Sequence, residues 1–196
     1  IERYLQLAAQ DNMWIVQPST PANHFHMLRT QAYKRPRKPL IAFTPKQLLR
    51  LSAASSHIEE FTSGGFQPII GDTTITDPAS VTRVLLCSGR LYYDLAKERE
   101  HRGDTSTAII RLEQLYPLPE AELAEVLAQY PNASVTWAQD EPRNQGAWPH
   151  LALNLFPSLG RPVRVVSRPE SATTAAGRAS LHKEQAATLI AQAFEG

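Results

Sequence analysis

The chain has one cysteine, Cys87, in 196 residues. That excludes an internal disulfide and a multi-cysteine metal site, and it fits a reducing compartment such as the cytoplasm. No run of 18 apolar residues occurs, so no membrane-spanning helix is expected. Neither common Gly-rich phosphate loop is present. Methionine is absent from position 1; a helix-like stretch begins at once, with no signal or transit peptide before it. The expectation is a piece of a longer protein, whose catalytic groups lie upstream of Ile1. Asn132-Ala133-Ser134 matches a glycosylation acceptor, but without a secretory signal the match is read as chance.

What is present is ordinary for a globular chain: 42% hydrophobic and 20% charged residues. The length suits one full domain and part of a second. The formal net charge of +1 is unevenly spread. Residues 1–52 hold eight Lys/Arg against two Asp/Glu, and the remainder holds twelve against seventeen. That asymmetry points to two structural units with different neighbours. Arg29, Lys34, Arg35, Arg37 and Lys38 cluster in the basic part. They read as a solvated loop between helix and strand, the alternative being a site for a phosphate, CoA or an acidic partner. No aromatic residues interleave with them in a nucleic-acid motif, so no nucleic acid is expected.

Along the chain, residues 1–12 have helical periodicity, and Met13–Val16 reads as a short buried strand. Thr20 is a good N-cap and Pro21 suits the first helical position, predicting a helix from Pro21 to about Tyr33. Leu40–Phe43 reads as a strand and Lys46–Leu51 as a helical turn. Residues 53–80 lack strong periodicity and read as a linker, tied down by Phe61, Phe66, Ile69 and Ile70. From Val81 strands and helices alternate. The predicted strands are Val81–Cys87, Thr107–Leu112, Ser134–Ala138 and Val163–Val166. The predicted helices begin near Leu91, Pro119, Ala147 and Leu181. The pattern implies an α/β fold whose mostly parallel sheet has helices on both faces.

Few residues offer stand-alone chemistry. Cys87-Ser88-Gly89 follows a strand, but no partner acid or base is evident, so Cys87 reads as a buried core thiol. His24 and His26 are two apart on a helix, diverge, and cannot share a metal. Glu113, Asp140 and Glu141 lie near strand ends, where α/β sheets bind ligands, though caps or interface charges explain them as well. The polar stretch 140–148 between a strand and a helix is the most specific segment; loops of this kind make interfaces or sites.

The segments IERYLQLAAQDNM, PSTPANHFHMLR, KPLIAFTPKQLLR, CSGRLYYDLA, AIIRLEQLYPLP and DEPRNQGAW, in this order, resemble the thiamine-diphosphate-dependent first component of the 2-oxoglutarate dehydrogenase complex. The wording is closest to its actinobacterial branch. The resemblance implies that residues 1–52 end a pyrimidine-binding domain, 53–80 link, and 81–196 form a transketolase C-terminal-type domain. It also implies a complete enzyme that decarboxylates 2-oxoglutarate and passes a succinyl group to a lipoyl arm. Thiamine diphosphate and Mg²⁺ would be held upstream of Ile1, leaving this chain without catalytic, cofactor or metal ligands and inactive alone. A homodimer, a lipoyl-bearing acyltransferase and dihydrolipoamide dehydrogenase are the implied partners. Gln145 and Trp148 are the expected interface or scaffold residues. Actinobacterial relatives respond to acetyl-CoA through a basic constellation. Here only Gln114 matches it, and its cationic positions hold Thr30, Gly65, Ala121 and Glu122. Each lost charge-assisted bond removes roughly 1.5–3 kcal/mol, so little activation is expected. The alternatives are a related 2-oxoacid decarboxylase or transketolase subunit, and a non-catalytic binding or regulatory module of the same fold.

Overall fold

A computed structural model describes residues 1–195. α1 (Glu2–Leu7) leads to β1 (Trp14–Val16), α2 (Pro21–Tyr33) and β2 (Leu40–Ala42). α1 is shorter than the periodicity of residues 1–12 predicts. The Asn12 side chain stops it, donating to the Leu7 carbonyl at 2.9 Å and accepting from the Ala9 N–H at 3.1 Å. α2 has the predicted bounds, and Thr20 accepts from the Asn23 N–H at 3.1 Å to satisfy an otherwise orphaned donor.

Residues 53–80 are more structured than a linker. They include α3 (Ile58–Thr62) and β3 (Ile69–Ile70), which pairs antiparallel with a later strand. Two adjacent Ile residues are too short a run to show a period. Next come β4 (Arg83–Cys87), α4 (Leu91–Arg102), β5 (Thr107–Leu112), β6 (Gln114–Tyr116) and α5 (Glu120–Ala128). β7 (Ser134–Pro142), α6 (Trp148–Asn154), β8 (Val163–Arg168) and α7 (Ala179–Ala193) complete the fold. The five-stranded sheet has the order β3-β5-β4-β7-β8 and is parallel except for β3. Its central strand, β4, is almost wholly apolar because helices cover both faces. Leu85, Leu95, Ile109, Val166 and Leu189 pack on the α4/α7 side. Leu86, Ile110, Leu123, Trp137 and Leu151 pack on the α5/α6 side.

A second sheet has the order β2-β1-β6. β1 and β2 are parallel, and β6 joins β1 antiparallel. β6 comes directly after β5, so the chain leaves the large sheet and at once enters the small one. Leu5 and Ile15 share one core with Leu86, Ile110 and Leu115.

Candidate functional site

The seam between the two sheets is the most polar buried region. Glu113 sits in the single-residue step between β5 and β6 and is fully buried. One carboxylate oxygen accepts from the Ser19 N–H at 2.7 Å and from Asn23 Nδ2 at 2.9 Å. The Glu113 carbonyl accepts from the Gln17 N–H at 2.8 Å. Asn23 also bonds both polar backbone groups of Gln67, fastening the connecting segment to α2. Arg111 donates to Ser19 Oγ at 3.1 Å and lies over the Tyr92 ring, 4.1 Å from its centroid. Tyr93 donates to the Ser19 carbonyl at 2.7 Å. The Pro18–Pro21 loop is thus held from three sides by residues of the second unit.

Burial pushes the Glu113 carboxyl above the usual carboxylate range, against the opposing pull of Ser19, Asn23 and Arg111. Its other oxygen and Arg111 Nε are buried without a partner among the described residues. Burial likewise raises Tyr93 to about 12. Cys87 is fully buried, with its thiol raised to about 12 by burial, which makes it a core group with no nucleophilic role.

Gln114 is held within the fold. Its carbonyl accepts from Trp14 Nε1 at 2.7 Å, and its amide donates to the Pro117 carbonyl at 2.7 Å. Thr30 and Gly65 line a hollow of about 610 Å³ with His26, Arg29, Tyr33 and Lys34. Ala121 and Glu122 lie exposed at the start of α5 and do not line it. Arg35 and Arg37 turn back to carbonyls at the end of α2, where the helix dipole favours cations, and Lys38 pairs with Asp11. His26 is buried against the Glu60 carbonyl at 2.8 Å, and His24 lines a separate groove.

The 140–148 loop is also built into the scaffold. The Gln145 side-chain amide donates to the Ser171 carbonyl at 2.7 Å, and the Gln145 backbone carbonyl accepts from Gln139 Nε2 at 2.8 Å. The Trp148 N–H donates to Gln139 Oε1 at 2.9 Å, and its ring packs 5.9 Å from Phe156. Asp140 bridges two cations, Arg90 and Arg168. Burial pushes the neighbouring Glu141 carboxyl upward. The residues that sequence reasoning missed are Ser19 and Asn23. Their polar side chains stand beside a recognisable helix N-cap, and nothing local marks them as partners of a carboxylate some 90 positions away.

Two sheets joined by this seam define a transketolase-type architecture. The model of the 2-oxoglutarate dehydrogenase C-terminal family matches residues 55–194, and that of the transketolase pyrimidine-binding domain matches residues 1–52. The chain belongs to the 2-oxoglutarate dehydrogenase first-component family. It is 48% identical over 201 residues to the 2-oxoglutarate dehydrogenase E1/E2 component of Corynebacterium glutamicum, covering 100% of this chain and 16% of that protein. It is 45% identical over 200 residues to the E1 component of Azotobacter vinelandii, covering 99% and 21%. The multifunctional 2-oxoglutarate metabolism enzyme of Mycolicibacterium vanbaalenii is 42% identical, covering 99% and 16%. The chain therefore spans about a sixth to a fifth of the length of these relatives.

Family membership implies thiamine diphosphate as cofactor. Its diphosphate needs a metal and a cradle of donors. Among the described residues no three His, Cys, Asp or Glu side chains stand close enough together to hold a metal ion. No helix among them is long and apolar enough to cross a membrane.

Proposed function

We propose that this chain serves in a cytoplasmic 2-oxoglutarate dehydrogenase first component. The complete protein uses thiamine diphosphate and Mg²⁺ to decarboxylate 2-oxoglutarate and transfers the succinyl group to a lipoyl arm. Its partners are a second copy, a lipoyl-bearing acyltransferase and dihydrolipoamide dehydrogenase. Residues 1–52 end the pyrimidine-binding unit, 53–80 connect it, and 81–196 form the C-terminal unit, to whose large sheet the connection adds an edge strand. Within that enzyme this chain is scaffold: it locks the two units together and contributes Gln145 and Trp148 to the interface region. Such locking matters because reacting groups must be held to a fraction of an ångström across separate units. The observation that carries the reading is the seam around Glu113, in which residues matched by both family models share one hydrogen-bonded core.

The test is a substrate profile of the protein at full native length. Release of CO₂ from 2-oxoglutarate, dependent on added thiamine diphosphate, is the expected result. Faster release from pyruvate, or none from either, overturns the assignment. We further expect little activation by acetyl-CoA. Gln114 has both ends of its amide engaged within the fold, and the positions that would supply cations hold Thr30, Gly65, Ala121 and Glu122. A several-fold rise in turnover on adding acetyl-CoA would sink that expectation.

A further inference from the structure

The amino ends of β4, β7 and β8 gather charge of one sign. In a parallel sheet, residues opposite one another in register point to the same face, as do residues two apart on one strand. Arg83 lies opposite Ser134, and Thr136 lies opposite Arg164. These four side chains therefore share a face. It is the face that carries Leu85, which packs with Leu189 of α7. Arg161 stands two residues before β8 begins.

All five residues line one cavity of about 570 Å³, and among the described residues no Asp or Glu lines it. The arginines are fixed by helix ends. At the end of α7, Arg164 donates to the Gln192 and Glu195 carbonyls at 3.1 and 2.7 Å, and Arg83 donates to the Phe194 carbonyl at 3.0 Å. At the end of α5, Arg161 donates to the Leu127 and Tyr130 carbonyls, each at 3.2 Å. These carbonyls place the guanidiniums but neutralise them only in part. A helix end carries about half a negative charge, so two ends offer about one against the two full charges of Arg161 and Arg164. Asp104, which the charge of Arg83 reaches, has both oxygens engaged by Ser106 and Thr107. Glu195 is exposed and outside the lining. The positive surplus thus sits on side chains that are already positioned, which lowers the ordering cost of binding an anion.

We propose that this cavity binds a small organic phosphate, its phosphate group held between Arg161 and Arg164. Each guanidinium has five donors in a planar fork, so it can hold a helix end and an anion together. The hydroxyls of Ser134 and Thr136 supply further donors on the same face. Charge and size choose the class. Arginines with no carboxylate in the lining favour a dianion, and arginine matches phosphate geometry bidentately. The volume exceeds that of a bare ion, and Val135 and Pro162 offer an apolar wall for a carbon body. No aromatic side chain lines the cavity on which a base could stack, which disfavours nucleic acid. The inference rests on register and charge at one end of the large sheet, so it stands or falls apart from the decarboxylase assignment.

Inorganic phosphate and phenyl phosphate are the probes, titrated into the full-length protein by calorimetry, with chloride at matched ionic strength as reference. Saturable binding of both is expected, with phenyl phosphate the tighter. Arg164→Gln should weaken it at least tenfold. Asn132→Asp is the second variant, in case loss of the α7 contact prevents folding. Asn132 lines the same cavity and is exposed, so the change adds a carboxylate without opening the core, and it too should weaken binding at least tenfold. Absence of saturable phosphate binding overturns the proposal, as does binding that chloride abolishes at equal ionic strength or that is unchanged in the folded variants. Phenyl phosphate binding more weakly than inorganic phosphate overturns the organic class.

Discussion

At the scale of single residues, Glu113 sets a pH signature. Its folded carboxyl holds the proton more tightly than the ordinary value of 4.5, through burial. A raised acid stabilises the fold fully below the unfolded value and loses that contribution as pH rises through the folded one. Glu113→Gln retains an acceptor for Ser19 and Asn23 and cannot ionise. Its melting temperature should fall less than that of the parent between pH 5 and pH 8. Parallel curves in thermal melts would show that Glu113 does not titrate in this window. Gly146 is a second decisive residue. Its φ is +68°, and a Cβ there would lie 2.9 Å from Glu141 Cβ and 3.0 Å from the Gln139 amide. The same Gln139 amide caps Trp148 and bonds Trp137, so it cannot move without cost. Gly146→Ala should destabilise by about 1–3 kcal/mol, read from chemical denaturation. Neutral stability in that variant would mean the loop is free to rearrange.

At the scale of elements, the 53–80 segment behaves as part of the large sheet's unit. Asp72 follows β3 and is the latch. It pairs with Arg99 on α4 and accepts from the Ile109 N–H at 2.8 Å and from Thr74. Burial alone would raise its carboxyl, but bonds from Thr74, Ile109 and Arg99 outweigh it and hold the carboxyl below 3.8. Its pH dependence has the opposite sign to that of Glu113: stability is present above the unfolded value and falls as pH drops below it. Asp72→Ala leaves Arg99, itself 9% exposed, without its counter-ion. The expected cost is about 3–5 kcal/mol by calorimetry. A loss under 1 kcal/mol would show that water reaches Arg99 easily. This latch is not legible in the sequence, because Asp72-Thr73-Thr74 has the composition of any turn. α2, by contrast, is legible at its start, since Thr20 and Pro21 mark it locally, although the face it buries is Ala22, Asn23, His26 and Met27.

At the scale of the whole molecule, the two regions matched by separate family models form one folded body. β6 crosses from one sheet to the other, and Leu5, Ile15, Leu115 and Ile110 share a core. The amides of Trp14–Val16 and Thr107–Leu112 should therefore lose hydrogen-exchange protection together as denaturant is added to the full-length protein. Loss of protection in β1 at clearly lower denaturant would separate the units. Uneven charge along the sequence pointed to two units; burying Glu113 between them turned that division into an interface.

Alternation of apolar runs with amphipathic stretches was enough to specify the parallel sheet, its covering helices and the burial of Cys87, because those signals are local and periodic. Motif order was enough to identify the family. β3 and β6 were invisible at two and three residues, where no period can be read. Glu113 stood out in the sequence only as a charge near a strand end. Tertiary folding brought Ser19 and Asn23 to it across some 90 residues and excluded water. Likewise Gln114, Gln145 and Trp148 were legible as polar or aromatic residues in distinctive segments. Their bonds to Trp14, Ser171 and Gln139 were decided only by packing, since hydrogen-bond partners distant in sequence leave no local pattern.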